Sequence, residues 1–306
     1  MKLLAPIVLF VYNRPWHTKQ TIEALQKNEL ASESEFIIYS DAAKNEQASQ
    51  GVEAVRKYIE TINGFKKVTL IKRDKNWGLA DSIINGVTEV VNKYEKIIVL
   101  EDDLVTSPFF LNFMNEALEF YQNNKKVWHV SGWNYPINSE GLNDVFLWRV
   151  MNCWGWATWE DKWQFYEKNI DSAMAGFSES EIKAFNLDEA EDFFAQIEAN
   201  KQRKINTWAI FWYATIFKNN GLCLNPVHTF VDNIGHDGSG VHCGDKGVVE
   251  QRDLNLSPDI GFVTDLVESK TAVTIIKNYY FAQKKTLWSR LINKLSRVLT
   301  GKNLVS

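Results

Sequence analysis

The 306-residue chain has only three cysteines, Cys153, Cys223 and Cys243, and no two of them form a CxxC pair. An odd, scattered set builds no disulfide framework and fits a reducing compartment. Without a CxxC pair a zinc knuckle has no ligands. Long apolar runs are also scarce. The N-terminal one, Leu3 to Tyr12, has ten residues, against the roughly 20 that span a bilayer. It leads into Asn13-Arg14-Pro15 rather than a small-x-small cleavage site, so it reads as a buried first strand and not as a signal peptide. A positive excess is lacking too. At a net charge of −4 the whole chain is no nucleic-acid binder by bulk electrostatics. No GxGxxG follows the first strand, which disfavours a dinucleotide-dependent dehydrogenase. There is no internal repeat, low-complexity run or Pro/Ser linker, so one compact catalytic unit is expected rather than two domains.

What is present is an alternation of strands and helices. Strands are expected at Ala5 to Tyr12, Glu35 to Ser40, Phe65 to Lys72, Lys96 to Leu100 and Val127 to Trp133. Helices are expected at Trp16 to Lys27, Glu46 to Ile62, Leu79 to Asn92 and Pro108 to Asn123. The strands are continuous apolar runs, the pattern of a parallel sheet covered on both faces. Such α/β sheets bind ligands at the carboxyl ends of their strands. The second half is less regular. Val145 to Val150 reads as a strand, Trp154 to Trp163 as an aromatic segment, Ser178 to Gln202 as one charged helix, and Asn206 to Asn219 as a buried helix.

The strongest chemical signal is Glu101-Asp102-Asp103, three acids directly after the Lys96 to Leu100 run. Carboxylates packed together repel one another and lose hydration, so a positive partner should offset them. Mg2+ or Mn2+ would do so through one or two carboxylates, completing its shell with phosphate and water oxygens. Solvated acids at a strand end are the plainer alternative. A second cluster, His236, Asp237, His242 and Asp245, lies in a glycine-rich loop from Asn233 to Gly247. His242, or else His236, could complete a metal site there. The 12 tryptophans are divided between core packing and carbohydrate stacking. Trp133, Trp154, Trp156 and Trp159 could floor an acceptor site, and Trp156 and Trp159 are spaced to share a helix face.

The last thirty residues, 277–306, hold seven Lys or Arg and no acid, leaving −11 on the rest of the chain. Trp288, Leu291, Ile292, Leu295, Val298 and Leu299 fall on one helical face, and Arg290, Lys294 and Arg297 on the other. This basic amphipathic segment is expected either to lie on an anionic membrane surface or to dock on a protein.

The segment Val99 to Trp133 resembles a known family. It is similar to the metal-motif region of the Golgi N-acetylglucosaminyltransferases that start complex N-glycan branching. There too a hydrophobic strand ends in Glu-Asp-Asp-Leu, followed by a proline, paired phenylalanines, a helix and Ser-x-Trp-Asn, matched here by Ser131-Gly132-Trp133-Asn134. Bacterial sugar transferases of capsule and lipopolysaccharide synthesis look similar and lack the Golgi anchor, and the bacterial version is the one expected here.

The resemblance implies a GT-A, Rossmann-like fold with an acceptor-side helical region. It divides the chain into a catalytic domain over 1–276, with a nucleotide-sugar half at 1–135 and an acceptor half at 136–276, and the basic segment beyond. It also implies transfer of a hexosyl or N-acetylhexosaminyl group from a nucleotide-sugar, with UDP preferred, to a glycan or lipid-linked acceptor. The expected location is the cytoplasm, or the inner face of the cytoplasmic membrane.

Residue by residue, Asp103 would ligate Mn2+ or Mg2+, Asp102 would contact the ribose, and Glu101 would face the transferred sugar. Arg14 would lie by the diphosphate and Asp41 by the base, with Asn76 and Gly78 in the donor wall. Inversion of configuration requires a base for the acceptor hydroxyl. The family's aspartate aligns near Thr207-Trp208-Ala209, where this chain has no acid. Asp161 and Glu160, which follow a Trp-Gly-Trp segment as in GT-A galactosyltransferases, are the candidates, with Asp237 third. A nucleotidyltransferase shares the acids but needs a glycine-rich loop after the first strand, where Tyr12-Asn13-Arg14-Pro15-Trp16 has none. A non-catalytic glycan-binding protein on the same scaffold is the third reading.

Overall fold

A computed structural model of the chain describes residues 3–238 and 253–284. Its first half follows the alternation expected from sequence. Strand β1 (Ile7–Val11) leads through Pro15 into helix α1 (Pro15–Gln26). Proline there pre-sets the first helical turn without losing a needed N–H. Then come β2 (Glu35–Ser40), α2 (Glu46–Ile59), β3 (Lys67–Lys72), α3 (Leu79–Tyr94) and β4 (Lys96–Glu101). A short strand β5 (Leu104–Thr106) precedes α4 (Phe110–Phe120) and β6 (Val127–Ser131).

The second half contains β7 (Val145–Trp148), β8 (Trp156–Trp159) and a single turn, α5 (Glu160–Trp163). Helices α6 (Ile170–Ala175), α7 (Glu179–Phe185), α8 (Phe194–Lys201) and α9 (Ala209–Lys218) follow, then β9 (Leu222–Pro226) and β10 (Val231–Asn233). The charged stretch expected as one helix is two. Leu187, Asp188 and Glu189 all take positive φ, which ends α7 and turns the chain before α8 begins.

The main sheet has the order β3-β2-β1-β4-β8-β6-β9-β7. Its first four strands run parallel. β8 runs antiparallel to both β4 and β6, so β6 and β9 share the direction of β4, and β7 runs against β9. β5 and β10 form a separate antiparallel ribbon. One face of the sheet buries α1, α2 and α4 against Ile7, Leu9, Ile98 and Leu100. The other buries α3, α7, α8 and α9 around Trp128, Trp156, Trp163 and Trp212.

The aromatic segment holds a correction. Trp156 and Trp159 lie in a strand, where an odd separation points them to opposite faces. Trp156 joins one core and Trp159 the other. A helix over 270–284 packs Ala272, Val273 and Ile276 into the first of these cores and runs through residue 277 without a break. It is tied down by an ion pair from Lys277 to Asp188 at 3.0 Å and by a hydrogen bond between the hydroxyls of Tyr280 and Tyr135 at 2.6 Å. The expected boundary at 276/277 therefore falls inside a docked helix, while the apolar face from Trp288 to Leu299 lies outside the described residues. No helix among the described residues is long and apolar enough to cross a membrane.

Candidate active site

The site forms at the carboxyl end of β4, next to the point where β8 reverses the strand direction. Arg14, in the turn between β1 and α1, bridges both aspartates. Its guanidinium Nη2 donates to Asp102 Oδ1 and, at 2.8 Å, to Asp103 Oδ2. Both acids are buried. Burial pulls the Arg14 pKa down, but the charges of Asp102 and Asp103 outweigh it and hold the guanidinium above its usual range. Asp102 is pushed up by burial, against the pull of Arg14. Glu101, half-buried, is pushed up to about 8 by burial first and by Asp103 and Asp102 next. Three carboxyls thus share one guanidinium, and a further positive charge among them would favour their ionised forms.

The second strand ends in a different device. The Asp41 carboxylate accepts from the backbone N–H of Ala42 at 2.9 Å, of Trp77 at 2.9 Å and of Gly78 at 2.8 Å, and from Asn76 Nδ2 at 2.9 Å. Asn76 also reaches the Ala42 carbonyl at 2.8 Å. Asp41, Asn76 and Gly78 come together as the sequence implied, but the Asp41 acceptors are spent on its own protein. Its hydrogen bonds hold the 76–78 loop against the end of β2.

The β5–β10 ribbon delivers a further segment. Asn233 pairs with Leu104, and Ile234 N donates to the Asp103 carbonyl at 2.9 Å. Gly235 then passes so close that a Cβ there would stand 2.1 Å from Asp103 Oδ2; only glycine fits. Asp237 reaches His17 Nε2 at 3.2 Å. His236 packs edge-on against Trp154, which packs in turn on Trp133. Trp154, half-buried, was one tryptophan among four in sequence, and nothing but tertiary contact distinguishes it. His242 and Asp245 lie outside the described residues.

Two candidates are displaced. Glu160 follows Trp159, which pairs with Lys96 at the amino end of β4, and Glu160 N donates to the Glu95 carbonyl at 2.8 Å. At about 3.3 Å per residue the length of β4 separates Glu160 and Asp161 from Glu101, so neither can serve as a base there. Asp161 instead pairs with Lys162. Trp156 is 1% exposed and stacks on Trp208 and His129. It cannot floor an acceptor site. Gly155, at φ 64°, breaks the strand alternation so that Trp154 and Trp156 go to different cores. Trp133 is buried on the site side, between Trp154 and Tyr135.

The main sheet carries its acids beside an antiparallel strand, with a glycine segment folded over them, and the protein is a glycosyltransferase. The model of glycosyl transferase family 2 matches residues 7–172, more than half of the chain, and the chain belongs to that family. No curated protein matches it in sequence. Among solved structures it is similar to the mannosyltransferase PcManGT from Pyrobaculum calidifontis, solved with GDP-Man and Mn2+. That likeness has 13% identity and a TM-score of 0.42 over 70% of each chain. It is also similar to residues 1–349 of TarS from S. aureus, at 9% identity and a TM-score of 0.39, over 74% of this chain and 59% of that one. Of another solved TarS chain it covers 21%, at 15% identity and a TM-score of 0.30. These likenesses concern the course of the backbone alone.

Proposed function

We propose that the protein moves a hexosyl or N-acetylhexosaminyl group from a UDP-sugar to a glycan or lipid-linked acceptor of a bacterial surface polysaccharide, with inversion. The carrying observation is the buried Arg14–Asp102–Asp103 cluster at the carboxyl end of β4. The residues fit Mn2+ or Mg2+: two buried carboxylates, one guanidinium between them, and a glycine cradle that leaves room only for the Asp103 carboxylate. Asp103 would hold the ion with Asp102 beside it. When bound, the ion would supply Lewis-acid stabilisation of the departing diphosphate.

The chain's own residues do the rest. Arg14 faces the negative charge that grows on the leaving diphosphate, a donor already positioned before the reaction. The Asp41-anchored loop at 76–78 walls the nucleotide. Asp237, delivered by β10 and steadied by His17, takes the acceptor hydroxyl proton. The sugar lies between Glu101 and the Trp154–His236 wall, where an indole face suits the C–H side of a pyranose. The segment 285–306 provides contact with an anionic membrane, placing the enzyme on the inner face of the cytoplasmic membrane.

The test is calorimetric titration with UDP and with GDP, each with and without Mn2+. Mn2+-dependent UDP binding supports the reading. GDP binding in its place overturns the choice of nucleotide, and binding of neither by folded protein overturns the donor site.

A further inference from the structure

A second feature of the carboxyl end lies in the helical region that follows β8. Lys168, Arg203 and Lys204, with Ile170, Ile205 and Asn206, line a cavity of about 420 Å3. That size accommodates a phosphorylated sugar or a diphosphate. Other lysines of this helical region have acidic partners: Lys218 with Glu181 at 2.9 Å, Lys183 with Glu189 at 3.5 Å and Lys201 with Asp171 at 3.9 Å. Among the described residues the three cavity cations form no such close ion pair, and Asp81 acts on Lys168 only at longer range. Lys168 is bonded only to the side-chain oxygen of Asn206, and burial draws its pKa down.

The turn that presents two of these cations is held firmly. Arg203 takes a left-handed φ of 56°, which costs a residue with a Cβ roughly 1–2 kcal/mol. Arg203 N donates to the Asn200 carbonyl at 3.0 Å and Lys204 N to that of Ala199 at 2.9 Å. The Asn200 side chain in turn grips Thr207 N and Thr207 Oγ1, both at 3.1 Å. Cations at the end of α8 complement the helix dipole, which accounts for Arg203 and Lys204. It does not account for Lys168, which arrives from a separate segment.

Topology sets this cavity at the same end of the sheet as Glu101. β9 begins at Leu222 beside Val127, the amino end of β6. α9, which feeds into β9, therefore starts at the carboxyl end, and residues 203–207 precede its first turn there. Lys168 comes up from the other side. Its segment leaves α5 at the amino end, rises past Tyr166, whose hydroxyl bonds the Trp208 carbonyl at 3.3 Å, and ends within the field of Asp81 in the first turn of α3.

We propose that this cavity binds a phosphate-bearing group of the acceptor substrate. With the donor's phosphates drawn to the end of β4, a separate cationic site across the carboxyl edge is available to hold the acceptor by its own phosphate. In a chain of net charge −4, attraction for an anion is local to such clusters. The assignment to the acceptor rests on the glycosyl-transfer reading; the anion binding does not.

Inorganic pyrophosphate is the first probe, titrated calorimetrically into the full chain in EDTA. Wild type binds it, and the variant Lys168→Gln/Arg203→Gln/Lys204→Gln binds at least about tenfold more weakly, a loss of about 1.4 kcal/mol. The charge-retaining variant Lys168→Arg/Arg203→Lys/Lys204→Arg restores binding, which separates charge from folding. Equal affinity in wild type and the glutamine variant overturns the proposal, as does no binding by wild type at millimolar pyrophosphate. Two arms then distinguish the source. Competition by glucose 1-phosphate assigns a soluble phosphosugar. Retention on phosphatidic-acid vesicles that the glutamine variant loses assigns a lipid-borne phosphate. A donor site that binds neither UDP nor GDP with Mn2+, alongside pyrophosphate binding that depends on the three side chains, overturns the proposed donor site and leaves the anion site standing.

Discussion

Replacing Arg14 by methionine keeps most of the stem and removes the charge. In the wild type that charge is 17% exposed and stands between two carboxylates whose side chains are 7% and 9% exposed. At an effective dielectric constant of about 20, each pair with charge centres near 4 Å contributes about 4 kcal/mol of attraction. Repulsion between the aspartates and the lost hydration of all three groups offset much of it. Removing one member of such a buried set typically costs about 3–5 kcal/mol. For a chain of this length we expect Arg14→Met to lower Tm by roughly 6–10 °C in EDTA.

The deficit should depend on pH. Without Arg14 the native carboxyls hold protons that the unfolded chain releases above about pH 4. Stability of the variant relative to wild type therefore falls as pH rises from 4 to 8. Mn2+ restores positive charge and should recover most of the loss. The assay is urea unfolding across pH with EDTA or Mn2+. A variant within about 0.5 kcal/mol of wild type in EDTA would refute the charge argument. A deficit untouched by Mn2+ would refute the cation site.

Three further outcomes are expected. Gly235→Ala should push the Asp103 carboxylate aside and weaken Mn2+-dependent UDP binding by about tenfold or more, while the far-UV spectrum stays unchanged; full binding would show that Asp103 is not used. Glu160→Gln and Asp161→Asn should leave kcat within about twofold of wild type, whereas Asp237→Asn should lower it by about 10²-fold or more; the reverse order would return the base to the amino end of β4. His129 is held neutral, its pKa lowered to about 3 by burial, with Nδ1 accepting from Trp212 and Nε2 facing the Asn152 carbonyl. Its unfolded form takes a proton below about pH 6.5, so acidification toward pH 3 should cost up to about 4 kcal/mol, and His129→Gln should flatten that slope in urea unfolding.

The acidic triplet was legible because a continuous apolar run leaves three charges nowhere to go but its end. Asp41, Asn76 and Gly78 were placed together from sequence, yet the hydrogen bonds that Asp41 makes to its own chain were not legible. A carboxylate after a strand looks the same whether it faces a ligand or four of its own N–H donors. Glu160 and Asp161 were misplaced for a related reason. Local sequence carries hydrophobicity but not strand direction, and β8 runs backwards, taking its trailing acids to the wrong end.

The sequence by itself determined the parallel first half, its helices, and the acids at the end of β4. Those features follow from hydrophobic period and local charge, which act over a few residues. Tertiary structure alone decided which tryptophan meets the site and which acids remain near it. It also decided that Gly235 presses on Asp103, and that Lys168 meets Arg203 and Lys204 across one cavity. Each of these depends on strand order, direction or a single left-handed residue. They join segments far apart in the chain, and no local pattern encodes such a meeting.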